Sequence, residues 1–168
     1  MSKYLLMIKK RNWDNLDVSW LINNDIQADP LGGLLIIEGS MSVWYIDDSK
    51  LYLDLIIAAL VVNRQNLDKF EYGLFDHNVL DDVEIKVEKT TGTTPIDNIN
   101  SFHRDLTQLT IDKATILIKA IFPTIQKERV PVENVKQKVI IALEKEQINF
   151  NKVNRSMKSQ LSVLMANF

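Results

Sequence analysis

The chain has 168 residues, a formal net charge of −2, 46% apolar and 25% charged residues, and no cysteine. This length and composition predict one globular domain over residues 1–168, with a core large enough to fold without disulfides or a metal. The lack of cysteine excludes disulfides, thiolate catalysis and cysteine-ligated metal centres.

Apolar stretches in this sequence are short. The first covers residues 4–8, and the longest uncharged one covers residues 55–62. Neither reaches the length of a signal-peptide core or the roughly 20 residues that span a bilayer. We therefore expect a cytoplasmic protein that has no membrane partner.

Charge is distributed unevenly along the chain. Residues 1–95 hold 9 Lys and Arg against 15 Asp and Glu, a charge of −6, whereas residues 96–168 hold 11 against 7, a charge of +4. An acidic half favours a basic partner, because complementary fields speed association. A solvated surface with uneven charge explains the same counts without a partner.

The first quarter of the chain predicts strands and turns with one short helix. In chain order these are a buried strand at 4–8, a helix capped by Ser19 and ended by Pro30, a turn at Gly32-Gly33, and strands at 34–38 and 43–47. The last two strands resemble a hairpin.

Residues 51–62 predict a central buried helix, because apolar residues occupy nearly every face. Ser49 is the predicted N-cap, and Asp47 and Asp48 lie near the positive end of the helix dipole. Several β-branched residues leave a strand open as the alternative, but the length and the pair Ala58-Ala59 favour a helix.

Two further strands are predicted before a loop at residues 90–95. The first covers residues 69–76. In the second, Val83, Ile85 and Val87 alternate with Glu84, Lys86 and Glu88. Because side chains alternate along a strand, we expect the three apolar residues to face the core and the three charged residues to face solvent or a partner.

The last third is helical by period. Three apolar stripes occur, namely Ala114, Leu117, Ile118 and Ile121; Val132, Val135, Val139 and Leu143; and Val153, Met157, Leu161, Leu164 and Met165. Pro123 should limit the first helix, and Pro131 suits the first turn of the second. The whole pattern predicts an α+β fold, with a mainly antiparallel sheet from the N-terminal half, a central buried helix and a helical C-terminal third.

The tetrapeptide at residues 103–106, His-Arg-Asp-Leu, copies the protein-kinase catalytic loop. The position of the metal-binding Asn is Thr110 here, and the chain contains no Asp-Phe-Gly and no glycine-rich loop. Two roles are open for His103. We favour a structural role, in which this polar residue anchors a helix terminus, over a nuclease role beside Asp105. Nucleotide-binding loops and a Gly-x-Ser-x-Gly elbow are absent from the sequence. We therefore predict no enzyme activity and no cofactor.

Metal and nucleic-acid sites are weakly indicated. Asp76, His77, Asp81 and Asp82 could gather around a divalent cation, but turn and helix-capping roles explain them as well. The basic residues after position 135 are interleaved with glutamates, which favours a solvated helix face over phosphate contacts. We expect no metal and no direct nucleic-acid binding.

Two stretches carry a family resemblance, residues 43–48 (VWYIDD) and 99–110 (INSFHRDLTQLT). With the small size and the lack of a catalytic motif, they resemble bacterial immunity proteins, the partners of polymorphic toxins that include those of contact-dependent growth inhibition. The resemblance implies a cytoplasmic protein that binds one cognate toxin domain, often a nuclease, and blocks its active site or substrate access.

The acidic first part agrees with such a partner, because nuclease domains are commonly basic. The alternative function is a non-catalytic adaptor or structural domain with another protein partner. An enzyme with an unrecognised site, a nucleic-acid binder and a homo-oligomer also stay open.

The predicted toxin contacts are acidic residues near loops and strand edges, together with one aromatic anchor. They are Glu38, Asp47, Asp48, Asp81 and Asp82, with Trp44 or Tyr45 as the anchor. Trp and Tyr are common at binding hot spots. Support for the start of the following helix is the alternative role of Asp47 and Asp48.

Overall fold

A computed structural model describes residues 2–8, 39–47, 49 and 51–166. Within them the chain forms six strands and five α-helices, which confirms the predicted α+β class. The strands are β1 Lys3–Met7, β2 Met41–Ile46, β3 Phe70–Asp76, β4 Lys86–Lys89, β5 His103–Thr107 and β6 Gln126–Val130. The helices are α1 Leu53–Val62, α2 Asn78–Asp82, α3 Ile111–Ile121, α4 Val132–Glu144 and α5 Arg155–Ala166, with 3₁₀ helices at Asp97–Phe102 and Phe150–Lys152.

The chain forms two compact units, each assembled from several stretches of sequence. The sheet unit comprises Met1–Asp48, Glu71–Thr90 and His103–Glu128. The helical unit comprises Ser49–Phe70, Thr91–Phe102 and Arg129–Phe168. One domain over residues 1–168 stays a prediction.

The six strands form one sheet in the order β4-β5-β2-β1-β3-β6. The pairings β1–β2, β1–β3, β2–β5 and β4–β5 are antiparallel. In β1, the consecutive residues Tyr4, Leu5 and Leu6 are all buried. Because neighbouring side chains of a strand point to opposite faces, β1 is covered on both sides. This burial explains why residues 4–8 read as a continuous apolar run.

One face of the sheet packs against α2 and α3. Their shared core includes Tyr4, Val43, Phe75 and Leu106 from the strands, Leu80 from α2, and Leu117, Ile118 and Ile121 from α3. The side chain of Thr110 caps α3 by accepting a hydrogen bond from the Lys113 amide at 3.2 Å. The predicted α3 stripe is buried, and the helix ends before Pro123, as predicted.

Strand β4 is shorter than the predicted strand over residues 83–88. Residues 83–85 instead complete the turn that ends α2. Glu84 has a φ of 53°, and the Ile85 amide donates to the Leu80 carbonyl at 3.0 Å. The predicted facing is confirmed in part. Ile85 is buried, Glu84 and Lys86 are exposed, and Val83, Val87 and Glu88 are partly buried.

Two strands of the sheet, β5 and β6, come from stretches where the sequence did not predict strands. Their sequences are HRDLT and QKERV. Each contains a single buried residue, Leu106 in β5 and Val130 in β6. With one buried apolar residue each, the two segments lack the alternation that marks a half-buried strand.

Helix α1 is buried over seven consecutive residues, Ile56 to Val62, which confirms the predicted central helix. The helix begins at Leu53 with Tyr52 at the N-cap position, so the predicted N-cap at Ser49 is wrong. The Ser49 hydroxyl accepts from the Leu51 amide at 3.2 Å, in the turn before the helix. That turn takes Leu51 out of the core, where 71% of it is exposed.

Helix α4 packs against α1, and α5 contacts the segment that follows α1. Helix α4 contacts α1 and buries Val135, Val139 and Ala142. Pro131 is its N-cap, one residue before the predicted position. Helix α5 buries Met157 and Leu161, whereas Met165 of the predicted stripe is 52% exposed. The Gln160 side chain of α5 accepts from the Leu67 amide at 3.0 Å and donates to the Gln65 carbonyl at 2.8 Å.

Some predictions lie outside the described residues. They are the helix after Ser19, the turn at Gly32-Gly33, the strand at 34–38, and the contact residues Glu38 and Asp48.

Replacing Ile57 or Leu60 by Ala should lower the free energy of unfolding by about 2–5 kcal/mol, because each change leaves a cavity. Ile57 is 1% and Leu60 is 6% exposed. Urea denaturation measures the loss. The Leu51→Ala control, at an exposed site beside the same helix, should stay within about 0.5 kcal/mol of the parent. Equal effects at all three positions would contradict the burial of α1.

Gly73 in β3 makes a second stability prediction. A Cβ at this position would overlap with Cδ1 of Ile125 and would lie 2.7 Å from Cγ1 of the same side chain. Gly73→Ala should therefore destabilise the protein by about 1–3 kcal/mol through overpacking. The same change in an Ile125→Ala background should destabilise it much less, because both clashing carbons are gone. Additive effects in this double-mutant cycle would contradict the close approach.

Candidate functional site

A cluster of polar side chains lies on the face of the sheet opposite α2 and α3. Cross-strand pairing places Ser42 opposite Asp105 and Trp44 opposite His103. The alternate residues Val43 and Leu106 belong to the core against α2 and α3. Since side chains alternate along a strand, Ser42, His103 and Asp105 project from the other face.

Hydrogen bonds join Ser42, Thr90, His103 and Asp105, which we call the polar cluster. The hydroxyls of Ser42 and Thr90 donate to Asp105 Oδ1 and Oδ2, at 3.0 and 2.9 Å. Thr90 Oγ1 also lies 2.8 Å from His103 Nδ1. Because the single Thr90 proton goes to Asp105, the Thr90 oxygen must accept from His103, which assigns a proton to Nδ1. The cluster therefore links β2, β5 and the residue after β4.

The imidazole of His103 is largely shielded from water. Its side chain is 13% exposed, and the Trp44 ring lies edge-on with the centroids 5.1 Å apart. Burial lowers the pKa of His103 below 6.5; the Asp105 carboxylate opposes this shift, and the Arg104 guanidinium adds to it. His103 Nε2 is 3.8 Å from Asp105 Oδ1, too long for a hydrogen bond. The neutral imidazole is thus the favoured form at neutral pH.

The arrangement differs from a Ser–His–Asp catalytic triad. In a triad the histidine takes the proton of the serine. Here the Ser42 proton points to the Asp105 carboxylate, and the His103 proton points to Thr90. The two carboxylate oxygens of Asp105 instead hold Ser42 of β2 and Thr90 beside β5. His103 begins β5 directly after a 3₁₀ helix, and its ring bonds to Thr90 instead of capping a helix end.

The predicted contact residues fall in different environments. Trp44 is 4% exposed and lies in the core beside His103. Tyr45 is partly buried on the opposite face, where its ring meets the Tyr4 ring edge-on at 6.1 Å. Asp47 is partly exposed. The structure brings Asp81 and Asp82 together on α2, where both are exposed.

The structure does not gather Asp76, His77, Asp81 and Asp82 into a metal site. Asp76 pairs with Lys3 at 3.2 Å, and His77 Nδ1 lies 3.6 Å from Asp81 Oδ2. In the part of the chain that the structure describes, no three His, Asp or Glu side chains are grouped to hold a metal ion.

The two compact units carry charges of opposite sign. The sheet unit has 10 Lys and Arg against 16 Asp and Glu, a formal charge of −6. The helical unit has 10 against 6, a formal charge of +4. Asp81, Asp82 and Glu84 give the sheet unit three exposed carboxylates within four residues.

Comparison with known proteins found no matching family model, no matching curated protein and no matching solved structure. Among the residues described above, none of the helices is both long and apolar enough to cross a membrane.

The lowered pKa of His103 predicts a pH dependence of stability. Below pH 6.5 the unfolded chain takes up a proton before the folded chain does, so the free energy of unfolding should fall from there toward the lower folded pKa. The contribution of the neutral His103 imidazole to the free energy of unfolding is fully present above pH 6.5. Urea denaturation at a series of pH values, from neutral to below pH 6.5, measures the loss in the free energy of unfolding for the parent and for His103→Gln. The variant should lose less stability than the parent; equal losses would contradict the burial effect.

Proposed function

We propose that this protein is an immunity protein that binds a cognate toxin domain in the cytoplasm and neutralises it by occlusion. The formal charge of −6 on the sheet unit carries the proposal, together with the exposed carboxylates of Asp81, Asp82 and Glu84. The resemblance of residues 43–48 and 99–110 to immunity proteins points the same way. The proposed partner is a basic toxin domain, of which a nuclease is the leading example.

Charge explains how such a protein would act quickly. A toxin domain with a cationic substrate channel attracts an acidic surface at long range, and electrostatic steering raises association rates well above those of uncharged pairs. The same carboxylates would then lie where substrate phosphates bind. Occlusion needs no catalytic group on the immunity protein, and the hydroxyl and imidazole protons of the polar cluster are already used within the fold.

The proposed contact surface centres on α2 and the turn after it. Asp81, Asp82 and Glu84 supply the charge, and Asp47 is a further acidic contact from the end of β2. Trp44 is buried, so Tyr45 is the better placed of the two aromatic candidates. A stable complex should bury about 1,600 Å² in total. An affinity of about 10⁻⁹ M or tighter is expected, because escaped toxin is lethal.

The double variant Asp81→Lys/Asp82→Lys tests the role of this surface. It should bind the toxin domain more slowly, and its association rate should depend less on salt, because the steering charge is reversed. Stopped-flow mixing at several NaCl concentrations gives both quantities. The matched control Asp68→Lys/Glu144→Lys makes the same change in net charge at exposed sites of the helical unit. An equal effect in the control would contradict a contact surface on α2.

Co-expression decides the function itself. The toxin domain encoded beside this gene is expressed from an inducible promoter, with and without the immunity candidate. The expected result is survival only when both are present, and a stable complex after purification. Cell death despite folded protein would overturn the proposal. Co-purification with a different, non-toxic protein would favour the adaptor function.

A further inference from the structure

An apolar groove lies in the helical unit, between the start of α1 and the second half of α4. It has a volume of about 470 Å³. Its lining divides into apolar residues (Leu51, Tyr52, Leu55, Ile141, Ala142) and polar residues (Asp54, Lys138, Lys145, Gln147). The groove is distinct from the acidic surface on α2, which belongs to the sheet unit.

Large apolar side chains of this groove are open to solvent. Leu51 is 71%, Ile141 is 41% and Tyr52 is 37% exposed. The Tyr52 ring is held in place by the Phe102 ring, with the centroids 4.9 Å apart. A pocket for a small molecule encloses its ligand and buries its lining. Exposed walls of this kind suit an occupant that covers them from outside, such as a peptide segment.

The charge of the groove is positive on balance. Lys138 and Lys145 flank Ile141 along α4, one turn before it and one turn after it. Lys138 donates to Asp54 Oδ1 at 2.5 Å, so that its charge is neutralised within the groove. Lys145 is exposed, and within the described residues its ammonium has no carboxylate partner. The free cation therefore lies at the end of the groove nearest the C-terminus of α4.

We infer that this groove binds an acidic amphipathic segment of a partner protein, through two large apolar side chains one helical turn apart and a carboxylate that pairs with Lys145. The distance from Lys138 to Lys145 along α4 is seven residues, or about 10 Å. That length accommodates two anchors at i and i+4, which are about 6 Å apart along a helix. Amphipathic helices commonly dock into apolar grooves in this way.

Fluorescence anisotropy with defined peptides tests the inference. The probe is a fluorescein-labelled peptide of about 12 residues, with Leu at two positions four apart and Glu and Gln elsewhere. The whole chain should bind this peptide about tenfold more tightly than a matched peptide in which Lys replaces Glu, because Lys145 attracts Glu and repels Lys. A tenfold change is a modest difference in binding free energy. A peptide with Ser in place of both Leu residues should bind at least as weakly as the Lys peptide.

Two variants connect the binding to the groove. Lys145→Glu and Ile141→Ala should each weaken binding of the acidic peptide by about fivefold to tenfold, through the reversed charge and the lost apolar contact. The matched controls are Arg155→Glu, at an exposed site of α5, and Ile116→Ala, where the side chain is 48% exposed. Both controls should keep the parent affinity, because neither residue lines the groove.

Three results would overturn the inference, namely no saturable binding of the acidic peptide, equal binding of the Lys peptide, or equal losses in variants and controls. Toxin neutralisation is measured separately by co-expression. A protein that protects cells but does not bind the peptide would thus contradict this inference alone.

Discussion

The burial of the last seven residues of α1 is the constraint on which the helical unit depends. Seven consecutive residues, Ile56 to Val62, cover every direction around a helix, because each residue turns the chain by about 100°. No side of this segment faces solvent, so other parts of the protein must cover it on all sides. Polar groups are confined to its start, where Asp54 pairs with Lys138. The exposed Leu51 and Tyr52, and with them the groove, mark the place where this enclosure ends.

Apolar patterns predicted the fold where they were strong. The unbroken run of α1, the stripe of α3 and the apolar first strand all reappear as buried elements. The pattern failed where polar side chains have partners of their own. In β5, His103 and Asp105 face the polar cluster, so that only Leu106 gives an apolar signal. Alternation over residues 83–88 predicted that Ile85 faces the core, but a helical turn with Glu84 at positive φ produces the same facing.

The polar cluster could be predicted only in part. The spacing of His103 and Asp105 places both on one face of a strand, once the segment is known to be a strand. Ser42 and Thr90 join them through pairing between distant segments, and no local pattern encodes that pairing. Surface charge was easier to anticipate. Counts of charged residues predicted an acidic first part and a basic second part, and the two compact units divide the charge in nearly the same way.

Charge is also concentrated on the outer strands of the sheet. Among the described strands, β4 and β6 form the two edges, and three residues in each are charged: Lys86, Glu88 and Lys89 in β4, and Lys127, Glu128 and Arg129 in β6. Unpaired edges invite strands from other chains, and closely spaced charges discourage that addition. Self-assembly into extended β-structure is therefore disfavoured at both edges. The same charges disfavour the addition of a strand from a binding partner at either edge.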